Sequence, residues 1–220
     1  MKRARVIETD NGIQDGITVA HYDRMMCKLR DRGWMETNSL LASGICSGRV
    51  LEIGPGPGYL GLEWLTKTQD SRLTAVEISV EMIEQARRNA AGYGLQERVE
   101  YVPGDAHALP FEDAVFDGVF SNGSLHEWAH PKTVFAQIHR VLKPGARFFV
   151  SDLRRDMSPL IAWFLWLNTR PREIRPGLLS SIRAAYTADE VRGLADQVTF
   201  RDLCVKGKAI GIEITGVRAA

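Results

Sequence analysis

VLEIGPGPGYLGL, Val50 to Leu62, joins an apolar strand to an apolar helix through glycines at alternate positions, Gly54, Gly56 and Gly58. Val50 to Ile53 reads as a buried strand and Tyr59 onward as a helix. Glycine has no Cβ and tolerates positive φ, so such a turn brings backbone close to a ligand. The helix after it points unpaired N–H groups back into the same crevice. A dinucleotide site asks for GxGxxG, so that a pyrophosphate can rest on the helix N-terminus, whereas this turn is GPGPGY with prolines stiffening it. No phosphate-cradling lysine follows, which excludes a P-loop.

Downstream of the turn, Tyr59 to Thr68 is helical and Leu73 to Ile78 is a second strand. Glu77, at the carboxyl end of that strand, lies 19 residues after Gly58, the spacing at which an acidic group holds a ribose hydroxyl pair in doubly wound folds. Ser79 reads as an N-cap, and Val80, Ile83, Ala86 and Ala90 form a buried helical stripe closed by Gly92 and Gly94. Met82 falls in the first turn of that helix, beside the crevice. Val99 to Pro103 is a strand ending in Gly104, Asp105 and Ala106, and Phe116 to Ser121 is the next one. Pro131 starts a helix whose face is Val134, Ile138, Val141 and Leu142; Lys143 to Gly145 ends it before a strand at Arg147 to Ser151. This order demands right-handed crossovers. The fold class is therefore α/β, a doubly wound, mostly parallel seven-stranded sheet of Rossmann-like type. Val198 to Val205 and Ala209 to Val217 close it as an antiparallel hairpin on the sheet edge.

At 220 residues the chain fits one domain, residues 1–220. Residues 14–48 form an N-terminal helical cap of two short helices, and residues 152–197, without a strand pattern, form an insertion that shapes the substrate site. Lys and Arg total 28 against 27 Asp and Glu, so no global field draws the protein onto nucleic acid or anionic lipid. Cys27, Cys46 and Cys204 are far apart and odd in number, which argues against a disulfide framework or a metal site and for reduced thiols in the cytoplasm. The leader MKRARVIETD lacks the apolar core of a secretory signal and is expected to fray. The most apolar run, Leu160 to Leu167, is too short to span a bilayer, which takes about 20 residues.

These motifs, in this order, resemble the class I S-adenosylmethionine-dependent methyltransferases, in particular the methyltransferase type 11 subgroup, over Val50 to Asp152. The resemblance implies that Glu52, Gly54, Gly56 and Gly58 form the first motif, whose turn wraps the methionine part of S-adenosylmethionine. It implies that Glu77 holds the ribose, that Ile78 and Met82 pack on the adenine, and that Asp105 with Ala106 stands beside the adenine amino group. FDGVFSNGSLHEW, Phe116 to Trp128, is similar to the fourth motif, so that Ser121 and Asn122 touch the methionine portion. Tyr22, within HYD, looks like the N-terminal aromatic that closes over the cofactor in many members; read from the residues alone it is a half-buried core aromatic.

A sulfonium methyl donor needs little acid–base machinery, and aligning acceptor, methyl and sulfur can supply roughly 7–11 kcal/mol of the barrier. A protonated acceptor needs a base as well, and His126 and Glu127, after the fourth-motif strand, are the candidates. The ordinary alternative for His126 is a hydrogen-bonded wall residue. Trp128 reads as packing. Trp163, Phe164 and Trp166 fit a lid helix packed on the core, an apolar substrate pocket, a patch for a homodimer, or a membrane contact, and the packed lid is the expectation. Arg154, Arg155, Arg170, Arg172, Arg175 and Arg183 surround that run and favour an anionic acceptor if they turn inward. The expected activity is methyl transfer to a small molecule, releasing S-adenosylhomocysteine. A protein or peptide methyltransferase and a non-catalytic S-adenosylmethionine-binding module are the alternatives.

Overall fold

The helix Gly16–Asp31 (α1) starts where the Asp15 carboxylate accepts from the Thr18 N–H, 2.8 Å, an N-cap that satisfies one orphan donor. The computed structural model to which it belongs describes residues 5–6, 15–195 and 199–219. A short helix, Thr37–Ala42 (α2), leads into strand Arg49–Ile53 (β1). There follow helix Tyr59–Lys67 (α3), strand Arg72–Glu77 (β2), helix Val80–Tyr93 (α4), and strands Val99–Pro103 (β3) and Phe116–Asn122 (β4). Helix Pro131–Val141 (α5) and strand Leu142–Leu153 (β5) come next, then helices Pro159–Asn168 (α6), Arg175–Ala184 (α7) and Ala188–Ala195 (α8). Strands Phe200–Gly207 (β6) and Gly211–Arg218 (β7) complete the chain.

The strands form one seven-stranded sheet in the order β3-β2-β1-β4-β5-β7-β6. The first five are parallel, and β7 and β6 pair antiparallel at the far side. The order reverses between β1 and β4, and a switch point of this kind, at the carboxyl ends of the strands, is where doubly wound sheets bind ligands. Helices cover both faces, so the central strands are nearly continuous in apolar residues. On β1, Leu51 and Ile53 face a core shared with Phe135 and Ile138 of α5 and Val191 of α8. Val50 faces the opposite core, with Trp64 of α3 and Leu40 of α2. The two-residue alternation of a strand produces this division.

Three boundaries depart from the sequence reading. Lys143 to Gly145 does not end a helix ahead of a separate strand. It bulges within β5, since Phe116 pairs with Leu142 but Gly118 pairs already with Arg147. Lys143 is held there by Asp117, 2.6 Å. Arg5 and Val6 do not fray: the Val6 N–H donates to the Arg183 carbonyl, 3.3 Å, and Arg5 to that of Ala184, 2.6 Å. The third concerns α6, expected to pack as a lid on the core, of which no residue is buried. The rest of the leader, position 14 of the cap, positions 196–197 of the insertion and Val198 of the hairpin lie outside the described residues.

α8 begins with a capping box: the Thr187 N–H donates to Glu190 Oε2 at 2.8 Å, and the Glu190 N–H to Thr187 Oγ1 at 3.3 Å. No helix among the described residues is long and apolar enough to cross a membrane.

Candidate functional site at the strand switch point

The glycine turn is anchored at both ends. The Gly54 N–H donates to the Val76 carbonyl of β2, 2.9 Å, and the Leu62 N–H to that of Gly58, 3.0 Å, which opens α3. Gly54 and Gly58 adopt φ of 65° and 84°, the left-handed region that a side chain disfavours. Space forbids a Cβ as well: at Gly54 it would stand 2.2 Å from Ser124 Oγ, and at Gly58 2.7 Å from the Tyr101 hydroxyl. At Gly56 the nearest atom is Tyr22 Cε1, 3.4 Å away, so this part of the turn faces α1. Asn89 of α4 fastens α1 to the turn, donating to Asp23 Oδ1 and to the Pro57 carbonyl, 2.8 Å each.

Glu77 ends β2 with its carboxylate folded into the crevice wall. It accepts from the N–H groups of Gly56 (3.1 Å), Ile78 (2.9 Å) and Ser79 (3.0 Å). Burial raises its pKa, opposed by those three bonds. Turn and acidic residue, 21 positions apart in sequence for the Gly56 contact, are thus one hydrogen-bonded unit. Ser79 caps α4 by accepting from the Met82 N–H, 3.2 Å. Met82 is buried, whereas Ile78 is 40% exposed.

On the other side of the crevice His126 occupies a short 3-10 turn, Leu125–Glu127, after β4. It is buried, and its Nδ1 lies 2.9 Å and 3.0 Å from the two carboxylate oxygens of Asp152 near the end of β5. The His126 N–H donates to Asp152 Oδ2, 2.6 Å, and the Leu153 N–H to Oδ1, 2.6 Å. Imidazole and loop are therefore fixed by one buried carboxylate. Arg5 closes the outer side, donating to the His126 carbonyl at 2.9 Å while stacking 4.1 Å over the Tyr186 ring. Tyr22 stands between the two halves of the site. Burial, then the charges of Glu127, Asp152 and Glu77, push its phenol up.

The remaining expected site residues make contacts within the protein itself. Glu52 is 2% exposed and sits behind the turn, where Oε2 has no hydrogen-bond partner and would be 2.2 Å from a Cβ at Gly61. Burial, then the charge of Glu77, push its pKa up to about 8. Ser121 Oγ donates to the Ile53 carbonyl, 2.7 Å, and Asn122 Nδ2 to Ser151 Oγ, 2.8 Å, so both bind neighbouring strands. Asp105 is exposed and accepts from the His107 N–H, 2.8 Å, at the start of a 3-10 turn, Ala106–Ala108, in which Ala106 is half-buried. Trp128 packs edge-on to Phe135 with ring centroids 5.8 Å apart. Among the described residues no cluster of His, Cys, Asp and Glu could hold a metal ion.

Asp152 is the residue that motif reading missed. It closes LKPGARFFVSD at the end of a central strand, and an acidic residue in that place was the available signal. Its partner His126 lies 26 positions away, and pairing across strands has no local signature.

Comparison with known proteins points to the same stretch of chain. A family model described as a methyltransferase domain matches residues 51–150, from β1 into β5. Residues 51–150 of the chain are therefore similar to methyltransferase domains. It is 29% identical over 157 residues to the ubiquinone/menaquinone biosynthesis C-methyltransferase UbiE of Ruegeria sp., covering 69% of this chain and 62% of that one. It is 31% identical over 174 residues to O-methyltransferase cnsE of Penicillium expansum, covering 75% and 62%. The chain thus spans less than two thirds of the length of these curated relatives. A SAM-dependent methyltransferase from Aquifex aeolicus shares the fold with a TM-score of 0.70 at 18% identity, covering 94% of this chain and all of that one. The plantazolicin methyltransferase BamL, solved with SAH, does so with a TM-score of 0.71 at 15% identity, covering 93% and 90%.

Proposed function

We propose that this chain moves the methyl group of S-adenosylmethionine to a small-molecule acceptor and releases S-adenosylhomocysteine, with His126 as the base. The observation that carries the reading is the His126–Asp152 pair, buried beside the crevice that the glycine turn and Glu77 form. The crevice suits the cofactor. Its turn excludes side chains at Gly54 and Gly58, and Glu77 presents a carboxylate at the end of β2.

In this reading Gly54, Gly56 and Gly58, with Ser121 and Asn122, hold the methionine end, and Glu77 holds the ribose. Ile78, Met82, Asp105 and Ala106 enclose the adenine, and Glu52 supports the turn from behind. When bound, S-adenosylmethionine supplies a methyl group made electrophilic by a positive sulfur that leaves as a neutral thioether. The protein's part is alignment, exclusion of water and, for a protonated acceptor, removal of one proton. With Nδ1–H directed at Asp152, His126 Nε2 is the basic nitrogen, and the Asp152 carboxylate stabilises the imidazolium that forms. Tyr22 covers the site from α1, and Glu127 is the second candidate base.

Burial of His126 favours a small acceptor over a polypeptide, which would need an open groove. Arg154 pairs with Asp156 and Arg155 donates to the Ala185 carbonyl, so neither of these two is held in reserve for an anionic acceptor.

Calorimetry with S-adenosylmethionine and S-adenosylhomocysteine, then transfer of labelled methyl to a library of small acceptors, tests the proposal. Glu77→Gln should weaken both ligands about 10- to 100-fold, because a hydrogen bond to a charged group is worth about 1.5–3 kcal/mol. Absence of binding by the wild type, or full affinity in the variant, would defeat the cofactor assignment.

A further inference from the structure

Leu160, Trp163, Phe164 and Leu167 recur at positions i, i+3, i+4 and i+7 of α6 and so form one helical face. They are 77, 59, 56 and 41% exposed. Leu179 of the adjoining α7 is 37% exposed as well. A soluble face of this kind normally buries such a stripe.

The surroundings carry charge of one sign. Residues 157–188 contain four arginines, Arg170, Arg172, Arg175 and Arg183, against one acid, Glu173. Arg170 and Arg175 are tethered to the C-terminal turn of α6 by bonds of 2.8 Å and 2.9 Å to the Leu167 carbonyl, where cations also complement the helix dipole. Arg175 lies 4.3 Å over the Trp166 ring. Arg170, Arg172 and Arg183 are exposed.

We propose that α6 and its arginine collar are the docking face for a bilayer surface carrying anionic lipid. An exposed aromatic and leucine face beside a basic cluster is the chemistry of an interfacial helix: the apolar side enters the headgroup boundary and the arginines meet lipid phosphate. A second copy of the chain fits less well, since its matching face brings the same arginines and not the acidic groups that would complement them. The chain's own core also fits less well, because no residue of α6 is buried in it.

Docking there places the crevice at the lipid level. The 3-10 turn Arg172–Ile174 packs on α1, which carries Tyr22, and α7 packs on the turn that carries His126. The acceptor class that follows is an apolar molecule partitioned into the bilayer. That class rests on the methyl-transfer reading; the docking itself does not.

The test is co-sedimentation of the full chain with vesicles of phosphatidylcholine, with and without phosphatidylglycerol, alongside calorimetry with S-adenosylhomocysteine. Binding is expected on the mixed vesicles, weakening with salt, lost in a Trp163→Glu/Phe164→Glu variant, and about fivefold weaker for each of Arg170→Gln and Arg172→Gln. All variants should keep the wild-type affinity for S-adenosylhomocysteine, which separates surface effects from misfolding. No sedimentation by the wild type, or sedimentation undiminished in the double variant, would overturn the proposal. So would a dimer in light scattering that the double variant abolishes without any vesicle binding, which assigns the face to a second copy. Loss of S-adenosylhomocysteine affinity in that variant without vesicle binding by the wild type would assign it to a closing lid and equally overturn docking. A wild type that binds mixed vesicles but not S-adenosylhomocysteine leaves docking standing and sinks the methyl-transfer reading.

Discussion

Replacing Asp152 with Asn changes one atom and should disable His126 while leaving the fold in place. The carboxylate accepts from three donors: the His126 N–H at 2.6 Å, the Leu153 N–H at 2.6 Å and the imidazole Nδ1–H at 2.9 Å. An asparagine offers one oxygen and an NH₂ group, so at least one donor meets another donor in a place where the side chain is 1% exposed. Losing a charge-assisted bond and stranding a buried donor costs about 2–4 kcal/mol of stability. The imidazole can relieve the conflict by moving its proton to Nε2, so that Nδ1 accepts from the new amide. That tautomer leaves no lone pair on the nitrogen assigned as base, and methyl transfer to a protonated acceptor should fall by about 10²–10⁴. Nitrogen-15 shifts of the imidazole report the tautomer directly, before any acceptor is known, and urea unfolding reports the stability. Calorimetry with S-adenosylhomocysteine should remain near wild type. An imidazole that keeps its proton on Nδ1 in Asp152→Asn, with an unchanged unfolding midpoint, would refute the assignment of Asp152 as the positioning residue.

The remaining expectations concern the turn and the carboxylate behind it. Gly54→Ala forces a Cβ at φ 65° to within 2.2 Å of Ser124 Oγ and should cost about 2–4 kcal/mol in strain and overpacking. Adding Ser124→Gly should restore the part due to the clash but not the part due to φ; a full recovery would show that the backbone conformation is not strained. Glu52, pushed up to about 8 by burial and then by Glu77, binds a proton in the folded state that the unfolded chain releases. Because the folded pKa is the higher one, stability should fall as pH rises from the ordinary glutamate range to about 8, by an amount on the order of 5 kcal/mol at most, and level off above. Denaturant titrations across that window should show the slope, and Glu52→Gln should remove most of it; an unchanged slope would place the titrating group elsewhere.

Local order in the chain is what the sequence determines. A strand, a turn of alternating glycines, a helix and a second strand with its terminal acid are set by nearest-neighbour chemistry: hydrophobic period, φ tolerance and capping. The β1–turn–α3 unit, the Ser79 cap and Glu77 at the end of β2 are legible for that reason, as is the doubly wound topology, which handedness rules then constrain. Lys143 to Gly145 misled because Pro and Gly mark a helix stop and a β-bulge alike, and only the pairing of β5 with β4 and the hold of Asp117 on Lys143 choose between them. The tertiary structure alone decided where the side chains of the site are spent. Glu52 points away from the crevice, Ser121 binds the Ile53 carbonyl, and His126 meets Asp152 across two strands. It also decided that the Leu160, Trp163, Phe164 and Leu167 face of α6 stays exposed. An apolar run records a preference for leaving water, but not which surface satisfies it, because the hydrophobic effect is non-directional and burial depends on what the rest of the fold brings alongside.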